Sequence, residues 1–405
     1  MPRNVAFVAP FPIETTMRFV RAAARLDDVR LLGIVHHPPE GEDRALYGDL
    51  VRVSDPLSGQ DIADAVALLR QRHGEIHRLI GILEHLQVQI AQTRERFGIP
   101  GTDPRTADLF RDKPRMKAAL TAAGLPVARS RVIANDADAD AFAEEVGFPM
   151  VLKPPAGMGA KATFRVSSRE ELLRAVRGLG VHAHNPVLGE EMLRGEELSL
   201  ETITLGGVPR ATSVTHYLPT CLEVLETPWI QWCVYLPRDT SGPLYEGGRG
   251  LVRDAIAALG LADGMTHMEW FERADGSLVI GEIAARPPGA NITLMTGLAH
   301  GVDPYRAWAR AVVDGELDAP WERTHAVGCA FLRGMGRGRV LGTTGVHEVH
   351  EAVGHLIVEA KLPTLGAPKS DHYEGDGYIV VRHPDGDVVK NALDLIIRTV
   401  RVRYA

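Results

Sequence analysis

Only three cysteines occur in the 405 residues, Cys221, Cys233 and Cys329, and no two form a C-x-x-C pair. Nothing in that usage suggests a cysteine-built zinc site or a redox dithiol, and a reducing cytoplasm is the expected setting. Long apolar runs are also missing: no stretch approaches the roughly 20 residues that cross a bilayer. Met1 leads directly into the strand-like Asn4–Ala9, so neither a signal peptide nor an anchor is expected. Charge of one sign is equally scarce. The 45 basic and 52 acidic residues leave a net charge of −7 with no long single-sign run, which argues against nucleic acid or a membrane as the main partner. Two nucleotide fingerprints are absent as well. The turn after the first strand reads Ala9-Pro10-Phe11-Pro12 instead of G-x-G-x-x-G, and no G-x-x-x-x-G-K-[ST] string occurs.

What is present is enough chain for two to four compact units. The first hundred residues alternate apolar runs (Val5–Ala9, Val29–Val35) with helical periodicity (Met17–Leu26, Ile62–Arg72, Leu86–Phe97), the pattern of a doubly wound α/β unit. Gly98-Ile99-Pro100-Gly101 breaks that pattern, which sets a first domain at 1–105. Residues 106–193 read as a leading helix and a small α/β lobe, and 194–317 as a strand-rich lobe. Residues 318–405, Gly-rich loops and strands ending in a helix at Val388–Val400, read as a C-terminal packing or lid domain. The expected class is multidomain α/β and α+β. A 23-residue stretch, His216–Arg238, interrupts the strands and carries Tyr217, Trp229, Trp232 and Tyr235, either as a substrate wall or as packing.

The strongest local signal is a hairpin. Thr266–Phe271 and Ser277–Arg286 flank Asp275-Gly276, a favoured two-residue turn. Counting outward from that turn places Glu269 opposite Glu282, and His267 opposite Ala284. Facing carboxylates about 5 Å apart repel, and a divalent cation between them is the simplest remedy. Neutralising one should then relieve the metal-free protein. The period of two adds Ala284 and Arg286 to the Glu282 face and turns Val279, Gly281 and Ile283 toward a core.

Lys153 closes the apolar strand Met150–Leu152 and leads into Pro154–Lys161, where Gly157 and Gly159 give a pliable turn able to close over phosphate. Asp112-Lys113, Val151-Leu152-Lys153 with that turn, Gly189–Ser199 and Gly281–Pro287 stand in the order found in the ATP-grasp superfamily. From about Arg105 to Leu317 the chain resembles that superfamily, and within it the carboxylate–amine ligases, including amino-acid ligases. The resemblance implies an ATP-grasp fold preceded by the α/β domain. It implies an ADP-forming ligase that takes ATP and Mg²⁺, with Mn²⁺ as a substitute, and joins a small-molecule carboxylate to an amine through an acyl phosphate; a homodimer is compatible with it.

Position by position, the resemblance makes Lys113 and Lys153 phosphate contacts and Gly157 with Gly159 the covering turn. Glu190 and the main chain at Met192 and Leu193 become the adenine hinge, Glu197 the ribose acceptor, and Glu269 with Glu282 the metal carboxylates. Arg286 becomes the cation at the reacting carboxyl. One departure stands out: many relatives carry asparagine where this chain has Ala284, and His267 or Asn291 are the candidates to replace it. Two rival readings remain, a kinase or carboxylase that stops at phosphoryl transfer or carboxyphosphate, and a non-catalytic nucleotide-binding regulator. His347–His355 fails as H-E-x-x-H because His350 and His355 are five apart and leave one helix face. Gly334–Arg339 offers two arginines as a clamp or as a plain loop.

Overall fold

The computed structural model describes residues 2–156, 163–227 and 230–405. Among these residues the strands form four sheets. The N-terminal sheet is parallel, in the order Asp49–Arg52, Val29–Val35, Arg3–Val8, Ile76–Ile80. Its central strand is buried from Asn4 to Val8, as a strand covered on both faces must be. Helices are started by side chains the sequence supplies: Ser58, Asp103, Asp112, Asn135, Ser168 and Asp303 each cap a free N–H of the first turn.

A small antiparallel sheet follows, ordered Ser130–Ile133, Val187–Glu191, Met150–Lys153, Phe164–Val166. One face buries Met150, Leu152 and Val187 beneath the helices Asp136–Val146 and Arg169–Gly178. Gly189 is required there, since a Cβ would stand 2.7 Å from Ile133 and 2.8 Å from Phe142. Alternation turns Val151, Lys153 and Glu190 to the opposite face.

The large sheet has eight strands in the order Leu278–Ala284, Gly264–Glu272, Glu196–Leu205, Val208–Leu218, Trp232–Leu236, Ala326–Leu332, Gly377–His383, Ile357–Lys361. Leu198, Leu200, Met268 and Trp270 point to the helix Pro243–Leu259, so Glu197, Ser199, Glu201, His267 and Glu269 face the other way. The expected boundary at residue 317 falls between strands of this one sheet, because the strands from Ala326 to His383 extend it. The aromatic stretch is not a single interruption. Tyr217 lies in one strand, Trp232 and Tyr235 in the next, and a short helix, Cys221–Glu226, sits between them; Trp229 lies outside the described residues.

Candidate functional site

A cavity of about 1250 Å³ lies between the inner faces of the small and large sheets and is closed at one end by the N-terminal unit. Lys113, Lys153, Glu190, Met192, Leu193, Glu197, Glu269, Glu282 and Arg286 all line it. Gly157 and Gly159 lie outside the described residues. Met192 and Leu193 sit in the connector that leaves the small sheet after Glu191 and enters the large sheet at Glu196. Gly195 allows that passage: its φ is +144°, and a Cβ there would meet the carbonyl oxygen of Glu272 at 1.9 Å.

Cations gather beneath the small sheet. Lys153 Nζ stands 2.9 Å from Glu190 and 3.5 Å from Glu282, and Lys113 Nζ stands 2.8 Å from the other oxygen of Glu282. Lys117 completes the cluster, 3.1 Å from Glu190 and donating to the Gly281 carbonyl at 2.9 Å. It follows Lys113 by four residues on the helix Lys113–Ala122, a same-face spacing that no motif singles out. Burial opposes ionisation of Glu282, but Lys113 and Lys153 overcome it and bring the carboxyl to about 2. Glu190 is likewise held below its ordinary range against burial, by Lys117 and Lys153. Its carboxylate therefore grips the lysines rather than standing free for a base edge.

The hairpin brings Glu269 opposite Glu282 and His267 opposite Ala284, as the count gives, but by a different route. The turn is a three-residue loop: Arg273 donates to Ser277, and Gly276, with a φ of +78°, donates back to Arg273. That loop shifts the outer pairs by one, Glu272 to Leu278 and Trp270 to Ile280. A bulge between Glu269 and Trp270, with Gly281 as the extra residue, restores the expected pairing. The same bulge turns Ile280 and Ile283 into one core, correcting the strict alternation expected of this strand. Repulsion between the glutamates is also offset without metal, since Glu282 already holds two lysines.

Glu269 faces a different company. His267 lies between Glu201, at 2.9 Å from Nδ1, and Glu269, at 3.5 Å from Nε2. Burial would lower the imidazole, but hydrogen bonds to Glu201 and Glu269 raise it to about 9. Glu197 accepts from the Cys221 N–H at 2.9 Å, and burial together with the nearby Glu269 pushes its carboxyl up to about 8. Asn291 opens the helix Ile292–His300, lines the same cavity and meets the Cys329 thiol, while His267 stands 3.5 Å from Glu269. Among the described residues no group of three or more His, Cys, Asp or Glu side chains is placed to hold a metal. A two-carboxylate set suits magnesium that arrives on nucleotide phosphates, because Mg²⁺ keeps waters and substrate oxygens as its other ligands.

Arg286 reaches the N-terminal unit. Its Nε donates to Glu84 at 2.9 Å, while Arg111 takes the other Glu84 oxygen at 3.1 Å. Glu84 is only 5% exposed. No motif marks it, since it stands some two hundred residues from Arg286. Neither Arg337 nor Arg339 lines the cavity; Arg339 donates to the Gly366 carbonyl. Tyr217 and Trp232 do line it, and Tyr235 lies on the opposite face.

A small sheet whose lysine, joined by two from the preceding helix, faces a large antiparallel sheet across a nucleotide-sized cavity is the ATP-grasp fold. Residues 118–295 match the family model of the ATP-grasp domain, and the chain carries that domain. The L-arginine-specific L-amino acid ligase of Bacillus subtilis is 27% identical over 254 residues, 62% of this chain and 60% of that protein. The chain thus spans less than two thirds of that relative's length. An L-amino acid ligase from Bacillus licheniformis superposes with a TM-score of 0.81 at 18% identity, over 100% of this chain and 99% of that one. A carboxyaminoimidazole ribonucleotide synthase from Aspergillus clavatus, complexed with ATP, gives 0.72 at 18%, over 98% and 99%. At such identities the structural likenesses speak for the fold.

Proposed function

We propose that the chain is an ATP-dependent, ADP-forming ligase that joins a small-molecule carboxylate to an amine through an acyl phosphate. The observation that carries this reading is the buried cluster of Lys113, Lys117 and Lys153 held by Glu190 and Glu282, with Glu269 facing Glu282 across the hairpin. Lys113 and Lys153 offset the charge that develops as the γ-phosphoryl group passes to a carboxylate oxygen. The connector at Met192 and Leu193 receives the adenine, and the Glu197 oxygen not engaged by Cys221 accepts from a ribose hydroxyl. Magnesium, for which manganese can substitute, supplies charge screening at Glu269 and Glu282 when bound. Arg286, aimed by Glu84, stabilises the oxyanion formed when the amine attacks. On this reading Gly157 and Gly159 serve to exclude water from the acyl phosphate.

Residues 1–105, 106–193, 194–317 and 318–405 are the units of this reading, with the last continuing the large sheet. No helix among the described residues is long and apolar enough to cross a membrane. The test is ADP release across a panel of amino acids and other carboxylates, with hydroxylamine as trap. A hydroxamate of the substrate supports the ligase. ADP release without hydroxamate moves the chain to the kinase or carboxylase reading. No carboxylate-dependent ADP release leaves a nucleotide-binding regulator.

A further inference from the structure

A second cavity, of about 110 Å³, shares Arg286 and Pro287 with the larger one. Three parts of the chain enclose it: the strand Ile76–Ile80 with the helix Gln87–Phe97, the start of the strand Gly264–Glu272, and the helix Pro304–Asp314. It is a seam, formed where the N-terminal unit docks on the large sheet. Two arginines of the N-terminal unit line it, Arg78 from the strand and Arg94 from the helix.

Both guanidiniums are tethered by carbonyls alone. Arg94 Nε donates to Leu79 at 2.9 Å and its Nη1 to Thr102 at 3.3 Å, while Arg78 Nη1 donates to its own neighbour, His77, at 2.9 Å. Gly101 permits the Arg94 contact, since a Cβ there would stand 2.9 Å from Nε. Other arginines that reach from this unit to the rest of the chain find a carboxylate: Arg3 takes Asp314 and Arg18 takes Glu359. Among the described residues, Arg78 and Arg94 have none within ion-pair distance. The only carboxylate on the wall among those residues is Asp263, which is exposed and accepts the Gly206 N–H at 2.9 Å.

Burial, with the charge of Arg78 added to it, brings the Arg94 guanidinium down to about 10. Carbonyls satisfy donors, but they leave two like charges facing one partly enclosed space without a counter-charge. Arg94 Nη2, with Arg78 Nε and Nη2, also lacks a protein acceptor among the described residues. A guanidinium presents its donors as a planar fork that matches the paired oxygens of an oxyanion. The space suits an ion of a few heavy atoms and is too small for a nucleotide.

We propose that this seam is a second anion site, which takes inorganic phosphate or the phosphoryl group of a small ester between Arg78 and Arg94. It is separate from the lysine cluster beneath the small sheet and does not rest on the ligase reading. An ion there removes the repulsion between the two guanidiniums, at the seam on which the contact between Glu84 and Arg286 also depends.

The test is calorimetry and melting of the full chain with saturating Mg²⁺ and an unhydrolysable ATP analogue, so that the lysine cluster is already filled. Phosphate is titrated against chloride of equal ionic strength. Wild-type protein should bind phosphate and melt higher in it than in chloride. Arg78→Gln should lose about 10- to 100-fold in phosphate affinity, the range for hydrogen bonds to charged groups. Its melting temperature in chloride should equal or exceed that of wild type, because one of two like charges is gone. Arg94→Lys keeps a charge against the Leu79 and Thr102 carbonyls but loses the fork, and should weaken phosphate while leaving affinity for the ATP analogue unchanged. Glycerol 3-phosphate separates the two sources: binding as tight as that of phosphate assigns the phosphoryl group of a larger molecule, and binding of phosphate alone assigns the free ion. Either supports the site. No phosphate binding with the lysine cluster filled overturns it, as does unchanged phosphate affinity in Arg78→Gln. A variant that melts below wild type by the same amount in chloride and in phosphate makes Arg78 a brace of the seam and overturns it too.

Discussion

The two walls of the cavity balance their charges in opposite ways. Beneath the small sheet, Lys113, Lys117 and Lys153 close on Glu190 and on Glu282, which reaches in from the edge strand of the large sheet, and both carboxylates are held below their ordinary range. Deeper in the large sheet, Glu197 is raised to about 8 and accepts from the Cys221 N–H, and Glu269 has an imidazole at 3.5 Å. The first wall is an assembled cradle whose cations are fixed before any phosphate arrives, and so need little reorganisation when charge moves. The second is a set of acceptors waiting for hydroxyls or metal. Rigidity is therefore expected where charge must be stabilised, and a cost in stability where ligands must be received.

Removing a cation from the cradle should have the largest effect. Lys153→Met is expected to abolish ATP turnover and also to lower stability by about 3–5 kcal/mol, because Glu190 and Glu282 both lose a buried partner. On sequence alone an intact fold is expected of this variant; the two ion pairs change that expectation. Chemical denaturation beside ADP release measures both, and a variant of wild-type stability would show the cradle to be loose.

Arg286→Lys comes next. A point charge cannot reproduce a planar fork aimed by Glu84, so carboxylate-dependent turnover should fall about 10²–10³-fold with ATP affinity little changed. Weaker ATP binding with normal turnover at saturating ATP would move Arg286 to the phosphate side of the cavity.

Glu282→Gln sharpens the contrast further. On the hairpin alone its neutralisation relieves repulsion, but with Lys113 and Lys153 as partners it should cost about 1.5–3 kcal/mol in metal-free protein at pH 7. The depressed pKa carries a sign: this stabilisation is present above the unfolded value of 4.5 and is lost as pH falls through about 2. The melting-temperature gap between wild type and variant should narrow from pH 5 toward pH 2.

Glu197→Gln should do the reverse. Its raised pKa means the folded state favours the neutral acid, so the carboxyl costs nothing below pH 4.5 and an increasing amount up to about 8. The metal-free variant should melt above wild type at pH 8, with the difference vanishing near pH 4. A lower melting temperature at pH 8 would mean that the second wall is as well compensated as the first.

How much of this was legible follows from where the partners lie in the chain. The facing glutamates were readable because both sit in one hairpin, although a three-residue loop and a bulge at Gly281 had to cancel for the count to hold. Lys117 was readable in principle from its spacing to Lys113. Glu84 was not, since only the docking of the N-terminal unit brings it to Arg286 and Arg111. Periodicity reports which face a residue takes, and says nothing of which distant element will lie against that face.

The continuity of the large sheet decides what can be cut from this protein. A chain truncated at residue 317 would contain all of the domain-model match, yet it would lose Ala326–Leu332, Gly377–His383 and Ile357–Lys361. Trp232–Leu236, buried along its whole length, would become a naked edge of apolar residues with unpaired N–H and C=O groups. Such an edge recruits other chains, so the ATP-grasp portion is not a module that can be expressed alone. The C-terminal segment is part of its solubility as well as of its wall.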